Sequence, residues 1–242
     1  MDDELDQLLK NLRLGRIHAV LDRFLERAEK RQVSYSTFLA WLLREQHQHQ
    51  QERSIEYRIK RANLPERWSL STFPFKRQPG VRAATIRQLA KLGFITRHAN
   101  IVFVGPTGVG KTGLATGILL AALENGYRGL YIKAQDLFDE MYQSLADRST
   151  RRLVNRLTRI DVLLIDELGY LNLRPEQSNI FFKLMDERYG KKSTIITTNL
   201  DYDQWYDFLG QKQMVGALLD RLRHHCTTIP IEGASLRDPE EA

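Results

Sequence analysis

From Met1 to about Ser71 the apolar side chains recur at helical spacing. Leu5, Leu8, Leu9 and Leu12, then Ile17, Leu21, Phe24 and Leu25, fall on single faces of a 3.6-residue period. The stretch therefore predicts helices alone, a small all-helical N-terminal domain over 1–71. Gly15 is expected to separate or kink the first two helices, Ser36 to cap a third, and Pro65 to end it after Asn63. At about 1.5 Å per residue that third helix would be ~40 Å long.

From about Ala99 the period changes. Short β-branched runs, IVFV, GLYIK, VLLID, TIITTN and TTIPI, alternate with amphipathic helical stretches, which predicts an α/β domain over 99–242 built on a largely parallel sheet. Between the two parts, 72–98 carries Lys76, Arg77, Arg82, Arg87, Lys91 and Arg97 with no acidic residue, and reads as a basic linker leading into a helix.

Composition adds bounds. With 242 residues, 42% hydrophobic and 27% charged, the chain has apolar material for a real core, which excludes disordered and collagen-like classes. The balance of 36 basic against 30 acidic residues, net +6, favours a polyanionic partner such as nucleic acid. A single cysteine, Cys226, forms no internal bridge, so an oxidising compartment is not required. The acidic start MDDELDQ is unlike a signal peptide and no apolar run approaches the ~20 residues of a spanning helix, so a cytoplasmic protein without a membrane segment is expected. His47 and His49, two apart on a helix, diverge and make a poor metal pair, and the adjacent His224 and His225 read the same way.

The chemistry begins where IVFV runs into GPTGVGKT. Gly105, Pro106, Thr107, Gly108, Val109, Gly110, Lys111 and Thr112 satisfy the GxxxxGK[ST] pattern, and Gly113 opens the helical run that follows. Strand, Gly-rich loop and helix in that order form a nest of N–H groups for phosphate oxygens. Lys111 would meet the β and γ phosphates of ATP, and the Thr112 hydroxyl would ligate Mg²⁺. VLLIDE ends in two acids: Asp166 would hold Mg²⁺, and Glu167 would polarise a water for in-line attack, which points to hydrolysis. The bland alternative is that both acids cap the next helix. Asn199, at the end of a third apolar run, would bond the attacking water and a γ-phosphate oxygen, although asparagine is also common at strand ends. In LLDRLRHHC, Arg221 is the candidate arginine finger; the alternative is an ordinary surface arginine of an amphipathic helix.

Together these residues resemble the IstB-like ATP-binding helpers of insertion-sequence transposition, relatives of the DnaC and DnaI helicase loaders among the AAA+ ATPases. The resemblance spans nearly the whole chain. It includes LLKNLRLGRI, FLAWLLREQ, RIKRANLPERWSLSTFPF, LAALENGYRGLYIKAQDLFDEM, DERYGKKSTIITTNLDYDQWYDF and IPIEGASLR. It implies a P-loop NTPase of the AAA+ type, a three-layer sandwich on a parallel sheet. Lys111 and Thr112 take the Walker A roles, Asp166 and Glu167 Walker B, Asn199 sensor 1 and Arg221 the arginine finger. Two positions depart from the family pattern: Gly113 stands where histidine often follows GKT, and Leu236 where an aromatic often precedes Arg237. The short stretch after the last strand implies that the helical lid of many relatives is missing, so that a neighbour must close the pocket.

The resemblance implies an ATP-dependent, DNA-binding ATPase that assembles as a homo-oligomer on duplex DNA, shares sites through an arginine finger in trans, and presents target DNA to a transposase. A DnaC-like loader of a replicative helicase is the alternative, separable by what residues 1–71 capture. A kinase acting on a small acceptor would need an acceptor pocket and lid that nothing in the chain supplies, and a scaffold with negligible turnover is the remaining reading. The basic run at 76–97 and a second cluster, Arg148, Arg151, Arg152, Arg156 and Arg159, are candidate DNA contacts or simply solvated faces.

Overall fold

The computed structural model describes residues 3–169 and 171–236. The chain divides into two compact units, 1–57 and 58–242. The first contains α1 (Asp3–Asn11), α2 (Gly15–Arg31) and most of α3 (Tyr35–Arg61). Leu9, Ile17, Val20, Leu21, Phe24 and Leu42 make its core, whereas Leu5, Leu8, Leu12 and Leu25 of the same helical faces stay exposed. Capping here is done by side chains that local sequence does not single out. Ser34 rather than Ser36 accepts from the Thr37 N–H at the start of α3, at 3.3 Å. Leu14 offers no acceptor at the start of α2, and the buried Gln46 of α3 receives the Arg16 and Ile17 N–H groups at 3.1 and 3.3 Å.

The second unit is built on a five-stranded, wholly parallel sheet in the order β2-β3-β4-β1-β5. The strands are β1 (Asn100–Val104), β2 (Gly129–Lys133), β3 (Val162–Leu168), β4 (Ser193–Thr198) and β5 (Cys226–Pro230), as the five apolar runs predict. The inner strands β1, β3 and β4 are buried along nearly their whole length because both faces are covered, whereas the edge strand β5 keeps Thr228 and Pro230 exposed. On one face Val102, Leu163, Ile165 and Ile196 form a core with α7 (Ala134–Ala146), α8 (Thr150–Thr158), α9 (Pro175–Arg188), α10 (Trp205–Leu209) and α11 (Lys212–His224). On the other lies α6 (Lys111–Glu124), whose Leu114, Ala115, Ile118, Leu119, Ala122 and Leu123 are fully buried. The result is the three-layer α/β sandwich expected.

Residues 58–98 belong to this second unit. The helices α4 (Ala83–Leu89) and α5 (Gly93–Thr96) bury Ile86, Leu89, Phe94 and Ile95 while Arg82, Arg87, Lys91 and Arg97 point outward. Gln78, fully buried, donates to the Ala234 carbonyl at 2.7 Å, tying the segment to the chain after β5. Because every strand runs the same way, the sheet has one edge of strand entrances and one of strand exits, and the phosphate loop leaves from the exit edge.

Candidate functional site

After β1 the main chain turns through 105–110 and enters α6 at Lys111. Gly108 and Gly110 have φ of +88° and +94°, the left-handed region that favours glycine. A Cβ at Gly108 would stand 2.4 Å from Ser235 Oγ, and one at Gly110 2.6 Å from Phe73 Cε2. The loop is therefore glycine-dependent on two counts, conformation and space. Lys111 Nζ donates to the Gly105 and Pro106 carbonyls, both at 2.7 Å, so the ammonium closes over the loop from which the α6 N–H groups project.

Asp166, 1% exposed, collects hydroxyl donors from three elements. Thr112 Oγ1 of α6 donates at 2.9 Å, Tyr131 OH of β2 at 2.9 Å and Thr197 Oγ1 of β4 at 2.5 Å. Burial, and then the charge of Asp166, raise the Tyr131 hydroxyl above its ordinary value, so it stays protonated and remains a donor. One carboxylate beside a threonine hydroxyl at the foot of a phosphate nest is an all-oxygen donor set suited to a hard cation such as Mg²⁺.

The next residue is aimed differently. β3 carries a register shift between Ile165 and Leu168, and Glu167 takes φ of +61°, rare for a residue with a side chain. Its N–H donates to Thr197 Oγ1 at 2.9 Å. The bulge turns the Glu167 carboxylate out between two buried neighbours, Asp166 and Leu168, with Lys133 Nζ 3.6 Å away. A cavity of about 770 Å³ is lined by Lys111, Thr112, Asp166 and Glu167 together with Tyr131 and Trp68.

Two candidates lie elsewhere. Asn199 follows β4 and lines an adjoining opening of about 630 Å³ with Gly105, Pro106 and Thr107. Its Oδ1 is buried without a hydrogen-bond partner among the described residues. Arg221, on α11 just before β5, pairs with Asp186 of α9 at 2.7 Å and borders a cavity of about 340 Å³ that also touches Asn100 and Thr194. Those two residues sit at strand entrances, so Arg221 is separated from the phosphate loop by the length of the sheet, ~17 Å for five residues. That is beyond the reach of one side chain. Arg237 lies outside the described residues.

The arginines of α8 form the solvent side of an amphipathic helix: Leu153, Val154 and Leu157 are buried while Arg151, Arg152 and Arg156 face out, Arg156 paired with Glu140. Among the described residues no cluster of histidine, cysteine and acid groups could hold a metal, and no helix is long and apolar enough to cross a membrane.

Sequence reasoning missed Tyr131, Thr197, Lys133 and Trp68. Tyr131 and Lys133 share one face of β2 at its exit end, but only the pairing of β2 with β3 brings them beside Asp166 and Glu167. For Trp68 the available signal was its place in an apolar-aromatic stretch running from Leu64 to Phe75.

Comparison with known proteins gives a consistent picture. The family model described as IstB-like ATP binding protein matches residues 7–242. The insertion sequence IS21 ATP-binding protein of Pseudomonas aeruginosa is 35% identical over 98% of this chain and 90% of its own. The IS5376 ATP-binding protein of Geobacillus stearothermophilus is 37% identical over 88% of this chain and 84% of its own. Among solved structures, DnaI superposes with a TM-score of 0.60 at 22% identity, covering 69% of this chain and 92% of that one, a likeness of fold.

Proposed function

The chain belongs to the family of IstB-like ATP-binding proteins, and from that premise we propose that it is an Mg²⁺-dependent ATPase that assembles on duplex DNA and helps a transposase engage its target. The convergence of Lys111, Thr112, Asp166 and Glu167 on one cavity carries the reading.

In this reading the loop N–H groups and Lys111 hold the triphosphate, Lys111 exchanging its two loop carbonyls for phosphate oxygens. Thr112 and Asp166 would hold Mg²⁺, which would supply neutralisation of the phosphate charge. Glu167, aimed outward by the bulge, takes a proton from the attacking water. Asn199 gives its unpartnered amide oxygen to that water from the other side of the loop. The bond broken joins the β–γ bridging oxygen to the γ phosphorus, and the bond formed joins water oxygen to that phosphorus.

Arg221 serves the site of an adjacent copy. The support is its place at the strand-entrance edge, outside its own phosphate cavity. ATP thus joins protomers, and the joined protomers bring several basic faces, those of 76–97 and α8, to one duplex. Contacts of that kind bind phosphates with little sequence preference and weaken with salt.

The test is imaging and gel shift of the purified protein with duplex DNA, in ATP, ADP, a non-hydrolysable ATP analogue or no nucleotide, over a salt series. The expected result is salt-sensitive clustering on DNA that requires the triphosphate. Equal DNA affinity in all four states would end the switch reading.

A further inference from the structure

The cavity beside Lys111 has an aromatic wall. Trp68 lines it with 39% of its surface exposed. Its position is set by the glycines of α6. A Cβ on Gly113 would meet Trp68 Cδ2 and Cε3 at 3.5 Å, ordinary contact, so the indole rests against the first turn of the helix. One turn on, a Cβ on Gly117 would stand 2.5 Å from Leu70 Cδ2. Residues four apart lie on one helical face, and two glycines there make a shallow track on which the 68–70 segment lies. A large side chain at 113 would take the room the indole uses. Behind it Phe73, 6% exposed, packs against Gly110. The core does not need Trp68, and the tryptophan faces the same space as Lys111 and Thr112.

We propose that Trp68 is the stacking platform for the nucleobase of the bound nucleotide, a base subsite built on Gly113 beside the triphosphate nest. The proposal rests on the phosphate-loop reading and adds what lies at the other end of the ligand. The cavity of about 770 Å³ falls in the range of small-ligand sites, ~300–1,000 Å³. Every base has a π-face, so stacking on an indole is tolerant of base identity. Trp68 therefore supplies affinity for nucleotides in general and none for an inorganic phosphate chain.

The experiment titrates the full chain with ATP, GTP and inorganic tripolyphosphate, following intrinsic fluorescence and, separately, affinity by calorimetry. ATP and GTP are expected to quench the tryptophan signal; tripolyphosphate binds without quenching. Trp205, 1% exposed in the core, and Trp41 of the first unit give a constant background. Trp68→Phe should remove the quenching while keeping ATP affinity within ~3-fold, since a second aromatic ring still stacks. Trp68→Ala should weaken ATP and GTP by roughly tenfold and leave tripolyphosphate unchanged. If Trp68→Ala binds ATP as tightly as the parent, the base subsite is wrong and the phosphate site stands. If it weakens tripolyphosphate equally, the indole merely props α6, which also overturns the proposal. If the parent protein binds neither ligand, the phosphate-loop reading falls and takes the base subsite with it.

Discussion

Tyr131 and Asp166 meet at 2.9 Å across the β2–β3 pair, the tyrosine hydroxyl donating to the carboxylate oxygen that Thr197 leaves to others. The contact is buried, and with the Thr197 bond it fixes the rotation of a side chain whose third partner, Thr112, is expected to turn toward a metal. Tyr131→Phe keeps the ring and removes the donor. Such a bond to a charged acceptor contributes about 1.5–3 kcal/mol, so Mn²⁺ affinity in the presence of ATP, read by paramagnetic resonance, should fall about tenfold. ATP affinity measured in a chelator should not move. Metal affinity equal to the parent's would remove Tyr131 from the positioning of Asp166.

Glu167→Gln is isosteric and leaves the bulge intact. It should retain ATP binding and lose phosphate release by at least about a hundredfold, the scale of general-base catalysis. ATP should then accumulate in the assembled protein, and the DNA complex should survive longer in a competitor chase. Normal turnover in this variant would show that the water is activated by another group.

Lys111→Ala removes the charge over the nest and should abolish nucleotide retention in a filter assay. Arg221→Ala should still bind ATP but not turn it over. Mixing the two variants is the informative step. An intact phosphate site from the Arg221 variant then meets an intact arginine from the Lys111 variant, and partial phosphate release should return. No recovery at any ratio would count against an arginine acting in trans. Since Arg221 is paired with Asp186 in the single chain, Asp186→Asn separates holding the guanidinium from using it: turnover should then reach half-maximum at a different protein concentration.

Burial pushes the Cys226 thiol up to about 11, with hydrogen bonds from Thr228 and Tyr202 only partly opposing it. At pH 8 the thiolate is then about one part in a thousand. Alkylation of the native protein should accordingly be slow, with a rate that climbs as pH rises toward 11, and should accelerate on adding denaturant. Rapid alkylation at pH 7 would contradict so raised a thiol at this half-buried residue.

The strands of the second unit are legible because parallel strands covered on both faces are rich in β-branched and apolar residues, and VLLID or TIITT has no other easy reading. The phosphate loop is legible because its signal is short-range: strand, glycines, lysine and helix adjoin in the chain. What escaped depends on distance in sequence. Tyr131 gains its role from strand order, Gln46 from helix pairing, and neither is written near the group it serves. Residues 72–98 look like a linker because their cations dominate the composition, yet Ile86, Leu89, Phe94 and Ile95 are buried within the sheet unit. Asn199 and Arg221 are assignable in sequence only by order, and their surroundings, an orphaned amide oxygen and a carboxylate partner, are visible only in three dimensions.

The outward turn of Glu167 is a property of the main chain. Its direction is set by an extra residue in β3 and a left-handed φ, held by the Thr197 hydroxyl, and not by a choice among rotamers. Chemistry and folding are therefore decoupled at this one position. Replacing the carboxylate should silence the reaction without disturbing the sheet, whereas Thr197→Val, on the neighbouring strand and one hydroxyl contact from both Asp166 and the Glu167 N–H, should loosen the aim of the glutamate and remove a donor from Asp166.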